Sequence, residues 1–162
     1  MARGTVAGLF VKPKVAGEDG LPKRPVIRAD LLPEGLVGDF NNYRQEELHG
    51  DPDSAVLLVP QELLDDLRAE GWPLRPGDLG ENLATRGIPW TEFRSGRSIE
   101  VGRATLETTR ACTPCRRLAG LPYVGDARLA EFLKATMGRR GWYARVVQPG
   151  AVAEGDEIVI DG

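Results

Sequence analysis

Cys115 lies in the run Thr113-Pro114-Cys115-Arg116-Arg117-Leu118, just after the strand-like alternation of Thr105-Leu106-Glu107-Thr108-Thr109. Thr113 is suited to cap a helix and Pro114 to open it. Cys115 would then fall in the first turn, where unpaired N–H groups and the positive dipole end favour a thiolate. Arg110, Arg116 and Arg117 add positive charge nearby. This setting suits a working thiol. An equally ordinary reading is a small core residue, since cysteine is among the most often buried residue types. Cys112 makes a C-x-x-C with Cys115, which fits a redox dithiol, half a zinc site or a coincidence of spacing. With only two Cys and one His in the chain, a closed zinc site would need carboxylates or a second subunit. A thioredoxin-like motif would open a long helix after an early strand, whereas this one comes late in the chain. Thiol chemistry without zinc is the preferred reading.

Two other places carry groups able to join such a site: Leu48-His49-Gly50-Asp51, with the only histidine, and Gly80-Glu81-Asn82-Leu83. Taken singly, a loop histidine and a Gly-Glu-Asn turn are commonplace. Charge adds a hint. Residues 94–145 hold eleven Lys/Arg against four Asp/Glu, while the rest of the chain holds ten against twenty. A basic region around Cys115 suits an anionic ligand. It lacks the interleaved aromatics of a single-strand nucleic-acid platform, so no nucleic-acid partner is expected. No apolar stretch approaches the roughly 20 residues of a membrane span. Gly4–Val11 reads as a strand rather than a signal peptide. The expectation is a cytoplasmic protein with both thiols reduced at rest.

The elements that must position these groups are short. A chain of 162 residues, 41% hydrophobic, with 20 Gly and 12 Pro, reads as one domain (1–162) punctuated into strands and turns. Val6–Val11 and Pro25–Leu32 suggest an opening hairpin across the turn-rich Ala16–Gly20. Residues 38–51 read as a long polar loop. Ala55–Val59 reads as a buried strand, and Pro60 starts a helix with Leu63, Leu64 and Leu67 on one face and Gly71 as its stop. Ser98–Val101 and Ala104–Thr109 form a hairpin around Gly102-Arg103. A second helix is expected from Asp126 as cap, with Leu129, Leu133 and Met137 on one stripe, to Gly138. Trp142–Val147 and Glu157–Ile160 supply closing strands. This order predicts a mainly β (α+β), barrel-like domain with two or three inserted helices.

Taken together and in order, several segments carry a family resemblance. They are Val37-Gly38-Asp39, His49-Gly50 followed by Pro52-Asp53, Pro76-Gly77-Asp78-Leu79-Gly80-Glu81-Asn82-Leu83, Ile99-Glu100-Val101-Gly102, Thr113–Leu118 and Gly141-Trp142-Tyr143-Ala144-Arg145-Val146. The chain resembles the MOSC domain, named from the C-terminal part of molybdenum-cofactor sulfurases, and most closely its small free-standing bacterial members.

The resemblance implies a MOSC-type β-barrel-like fold whose characteristic cysteine, here Cys115, either ligates molybdenum or carries persulfide sulfur. It implies the molybdenum cofactor (molybdopterin), held by Glu81, Asn82, Arg110 and Arg116, with His49 as a hydrogen-bond donor behind the groups that touch the cofactor, or as a proton relay. In that reading the protein is an oxidoreductase acting on a small N-hydroxylated substrate, with an electron-transfer partner. In the alternative it is a sulfur carrier loaded by a cysteine desulfurase, and pyridoxal phosphate belongs to that partner, none being expected in this chain. A third reading is a non-catalytic cofactor-binding module. Oligomeric state is left open. Two departures stand out: Asp51 where the family commonly has glycine, and Cys112 where many relatives carry arginine. The second removes an anion contact, which Arg110 or Arg116 would take over, and permits Cys112–Cys115 oxidation.

Overall fold

The computed structural model describes all residues except Asp19, Asn42 and Gly162, with the side chain of Tyr43 also left out. Seven strands close a barrel. They run in the order β11 (Glu157–Ile160), β7 (Ser98–Val101), β8 (Ala104–Ala111), β9 (Trp142–Gln148), β5 (Val56–Pro60), β6 (Leu83–Arg86), β1 (Ala2–Val11) and back to β11. Closure rests on β1, whose first half pairs β11 from Ala2↔Ile160 to Thr5↔Glu157 and whose last residues pair β2 (Arg24–Val26). A register break between Val6 and Gly8 bends β1 where it leaves β11. Every pairing in the barrel is antiparallel except β5–β6, which α1 (Gln61–Ala69) connects. A smaller sheet, β10 (Gly150–Ala153), β3 (Arg28–Leu32) and β4 (Gly35–Leu36), lies beside it.

The expected Pro25–Leu32 strand is therefore two strands in two sheets, parted at Ile27, which is 76% exposed. A run of strand-forming residues does not reveal that its backbone changes partners halfway.

β5 shows why the apolar run at 55–59 is continuous. Val56 and Leu58 point into the barrel with Leu9, Leu83, Leu106 and Ile160, whereas Leu57 and Val59 point outward into a second core with Leu64, Leu67, Trp72, Leu118 and Phe132. Both faces are covered, so neither position tolerates a polar side chain. The second core is made by α1, by α2 (Gly125–Thr136) and by a 3₁₀ turn at Arg116–Gly120 lying over the barrel's outer face. α1 begins at Pro60 and buries Leu64 and Leu67 as its spacing predicts. α2 sets its expected Leu129 and Leu133 against this core, partly buried, but its fully buried residues are Phe132 and Thr136, Met137 is 59% exposed, and Val124 rather than Asp126 occupies the cap position. Phe132 packs edge-on against Trp72 at 4.7 Å, an aromatic contact that adds to the aliphatic stripe in holding the helix.

Candidate functional site

Cys115 does not sit within a helix. It occupies the cap position of the Arg116–Gly120 turn in extended conformation, and its carbonyl accepts from Leu118 N at 3.1 Å. The expected start is displaced by two residues, from Thr113 to Cys115, and the turn is 3₁₀ rather than α. The two thiols, both free, diverge. Cys112 is 6% exposed among Leu57, Leu118 and Tyr143 in the second core, whereas Cys115 is half-buried in the wall of a cavity of about 370 Å³.

That cavity lies on the outside of the barrel. Leu57 of β5 and Tyr143 of β9 give it an apolar floor, Thr113, Cys115, Arg116 and Arg117 one wall, Leu21 and Lys23 another, and Gly80 with Arg140 a third. Four lining residues are cationic and none is acidic. Each cation is held differently. Arg116 is exposed and has no acceptor among the described residues. Arg117 donates to Glu47 Oε1 at 2.9 Å and to Glu46 Oε2 at 3.2 Å, both on the π-helical turn Tyr43–Glu47. Lys23, 6% exposed, donates to Asp39 Oδ2 at 2.8 Å. Arg140, also 6% exposed, donates through Nε and Nη2 to Leu79 O at 3.0 and 2.8 Å.

The sequence-predicted residues separate into three groups. Cys115 and Arg116 line the cavity. Glu81 and Asn82 stand behind it, fully buried and bonded to the protein itself. The Glu81 carboxylate accepts from Gly77 N and Leu79 N, each at 3.1 Å, closing the turn before β6. Burial pushes this carboxyl up, against the opposing pull of the Gly77 backbone and of its own N–H. Asn82 accepts from Leu57 N at 3.1 Å and donates to Phe10 O and to Asp39 Oδ2, so it ties β5, β1 and the Asp39 segment together. His49 and Arg110 form the third group, away from the lining. His49 is exposed on a turn with φ of 53°. Arg110 stacks its guanidinium 5.0 Å from the Tyr143 ring centre and donates to Ser54 Oγ at 2.5 Å and Asp51 Oδ2 at 3.5 Å, touching the cavity only through Tyr143. Asp51, the residue that departs from the family pattern, thus has a local role: it also accepts from Asp53 N and Ser54 Oγ.

Sequence reading missed Lys23, Arg140 and Arg44. Arg44, 4% exposed, donates to the carbonyls of Glu34, Gly50 and Asp51 at 2.7–2.9 Å and so fixes the turn that presents His49. The available signal was a cation beside turn-forming residues, Pro22-Lys23 and Arg140-Gly141, which is weak because most such cations are solvated. Among the described residues no group of three or more His, Cys, Asp or Glu is arranged to hold a metal ion, and no helix is long and apolar enough to cross a membrane.

A closed seven-stranded barrel with a half-buried thiol in an outer, cation-lined cavity defines a class of β-barrel domain, and comparison with known proteins gives its family. The MOSC domain matches residues 45–159, so the chain belongs to the MOSC domain family. Protein YiiM of Escherichia coli (strain K12) is 27% identical over 123 residues, covering 74% of this chain and 53% of that protein. The chain thus spans about half the length of this curated relative. Among solved structures, the YUAD protein from Bacillus subtilis superposes with a TM-score of 0.79 at 22% identity, covering 98% of this chain and 95% of that one. YiiM from Geobacillus stearothermophilus gives 0.73 at 23% identity, covering 98% and 75%. At these identities the structural likeness concerns the fold.

Proposed function

We propose that this protein binds the molybdenum cofactor in the Cys115 cavity and reduces N-hydroxylated small molecules with it. The carrying observation is a half-buried thiol in a cavity whose charged lining residues are all cations. The residues present fit the group. A volume of about 370 Å³ lies in the range of small-ligand sites. A thiolate is a soft donor suited to molybdenum, arginine suits phosphate, and the Leu57–Tyr143 floor offers an apolar surface to a flat ring. When bound, the cofactor supplies a metal centre that exchanges electrons.

This chain's residues have distinct parts in that scheme. Cys115 Sγ is the protein ligand to the metal, and exposed Arg116 attracts and pairs the anionic end. Tyr143, backed by Arg110, walls the cavity from the core. Glu81 and Asn82 hold the turn that forms its third wall. His49 lies on the exposed segment just after Glu46 and Glu47, which fix Arg117. The overall change, RNHOH + 2H⁺ + 2e⁻ giving RNH₂ + H₂O, takes its electrons from a separate electron-transfer partner.

The test is a comparison of wild-type and Cys115→Ser protein from a cofactor-producing host. The wild type is expected to retain molybdenum and to reduce a hydroxylamine-type substrate when given an electron donor. The variant is expected to lose both. Metal retained at wild-type level by the variant would overturn ligation by this thiol, and metal without turnover would leave a binding module.

One observation also favours a sulfur-carrier role: the cavity holding Cys115 opens beside exposed Arg116, which has no acceptor among the described residues, and a partner's persulfide could reach it there. In that transfer the Cys115 thiolate attacks the terminal sulfur, the partner's S–S bond breaks and its thiolate leaves. A mass increase of about 32 Da on Cys115 after incubation with a cysteine desulfurase supports this role, and no adduct removes it.

A further inference from the structure

The turn of the β7–β8 hairpin and the small β10–β3–β4 sheet meet outside the barrel across a groove of about 480 Å³, and none of its described lining residues lines the Cys115 cavity. The contact is close. A Cβ on Gly102, at φ +55°, would collide with Ala151 O and Asp156 Oδ2, and one on Gly150 would collide with Arg103 O. Glycine at both positions lets the turn lie against β10. Arg103 N donates to Ala151 O at 2.9 Å, Gly102 N to Glu157 O at 3.4 Å and Ala153 N to Asp156 Oδ2 at 2.8 Å. These bonds fix the walls before any ligand arrives.

Charge is divided across the groove. Glu100 stands opposite Val159 on the outer face of β7–β11, whose inner face buries Val101, Ile158 and Ile160 in the barrel. Glu157, two residues before Val159, shares that outer face and pairs with Arg3. Arg28 comes from the small sheet, in register with Ala153, and Arg103 from the hairpin turn. The barrel wall is therefore acidic, while the small sheet and the turn are basic. Glu100, Arg28 and Arg103 are exposed, and none has a side-chain partner among the described residues; Asp156 Oδ1 has none either. Two cations and two carboxylates thus line one groove without pairing with each other, because each is rooted on a different strand or turn. Opposite charges held apart in this way favour a ligand that carries both signs.

We infer that this groove is a second ligand site, for a small dipolar ion of amino-acid or dipeptide size with one ammonium and one carboxylate group. Arg28 and Arg103 receive the carboxylate, to which the guanidinium fork is suited, and Glu100 and Asp156 receive the ammonium. The volume falls in the range of small-molecule sites. The site is independent of the chemistry at Cys115. Its charges are open to water, so a Kd on the order of 1 mM is expected.

The test follows the backbone amides of the full-length protein by NMR at pH 7 and constant ionic strength, with alanylalanine as the probe. Saturating shifts are expected at Gly102, Arg103 and Ala151–Ala153, with the amide of Cys115 unmoved. N-acetyl-alanylalanine, which keeps only the carboxylate, and alanylalanine amide, which keeps only the ammonium, should each need about tenfold more ligand or greater. Arg103→Gln and Glu100→Gln should each weaken alanylalanine binding by a similar factor. Glu100→Gln should at the same time leave the acetylated form bound as well as before or better, which a loosened groove would not do. Arg68→Gln, which removes an exposed cation on α1, should behave as wild type. Free L-alanine run beside the dipeptide separates the two sources: tighter binding of alanine assigns the site to free amino acids, and tighter binding of alanylalanine assigns it to dipeptides. No saturating shift at these amides, or equal binding of alanylalanine and its acetylated form by the wild type, would overturn the site.

Discussion

Asn82 carries more structure than any other polar residue near the cavity. Its amide satisfies Leu57 N, Phe10 O and an Asp39 oxygen in a fully buried place. Asn82→Ala would strand the Leu57 N–H without water and should cost about 1–3 kcal/mol in urea unfolding. Arg117 is the contrast. Its bonds to Glu46 and Glu47 are part-exposed, so Arg117→Ala should lower stability by less than about 1 kcal/mol in the same measurement. If Arg117→Ala proved the costlier change, this ranking by burial would be wrong. Residue types forecast Asn82 as important but not its part: a Gly-Glu-Asn turn reads the same whether its amide faces a ligand or three backbone strands. Cys115 was legible as the thiol near positive charge, and Cys112 as either reactive or buried. Only packing separates them, because they sit three positions apart on a segment whose turn type the sequence did not reveal.

At the scale of elements, the turn closed by Glu81 makes stability depend on pH in a definite direction. A carboxyl raised by burial holds its proton longer in the folded chain than in the unfolded one. Its stabilising contribution is therefore complete below the unfolded value of 4.5 and declines as pH rises through the raised folded value. Glu81→Gln removes this titration. The stability of the wild type relative to Glu81→Gln should thus fall as pH increases above 4.5, and a difference that rises with pH would contradict the assignment. Gly141 gives a second element-level prediction. At φ +108°, with a Cβ there directed onto Leu58 O, it lets the chain entering β9 lie against β5, and its carbonyl accepts from Cys112 N at 2.8 Å. Gly141→Ala should cost on the order of 1–3 kcal/mol from backbone strain alone and loosen the Cys115 segment, seen as faster alkylation of Cys112. Elements with a single periodic signal, such as α1 and the β7–β8 hairpin, were legible from sequence. β6 and β10 were not, because strands of four residues carry too little period of their own, and in α2 the aliphatic spacing marked Leu129 and Leu133 but not the more deeply buried Phe132 and Thr136.

For the whole molecule, the barrel closes only where β11 joins β1 to β7, at Ile158 and Ile160, each no more than 1% exposed. Ile160→Ala should destabilise the protein by about 2–5 kcal/mol and reduce metal binding only in proportion to the unfolded fraction. That result would separate the barrel as scaffold from the outer layer as site. The family was legible from ordered motifs spread over most of the chain, but the cavity was not. Its walls come from residues near 21–23, 80, 113–120 and 140, which topology alone brings together. The central claim is that this cavity is a molybdenum-cofactor site built around Cys115. The most direct measurement is the molybdenum and pterin content of freshly isolated wild-type protein from cofactor-producing cells, beside a known molybdoenzyme from the same cells. The account predicts both groups in equal amounts approaching one per chain. Neither group in this protein, with the companion enzyme fully loaded, would contradict it.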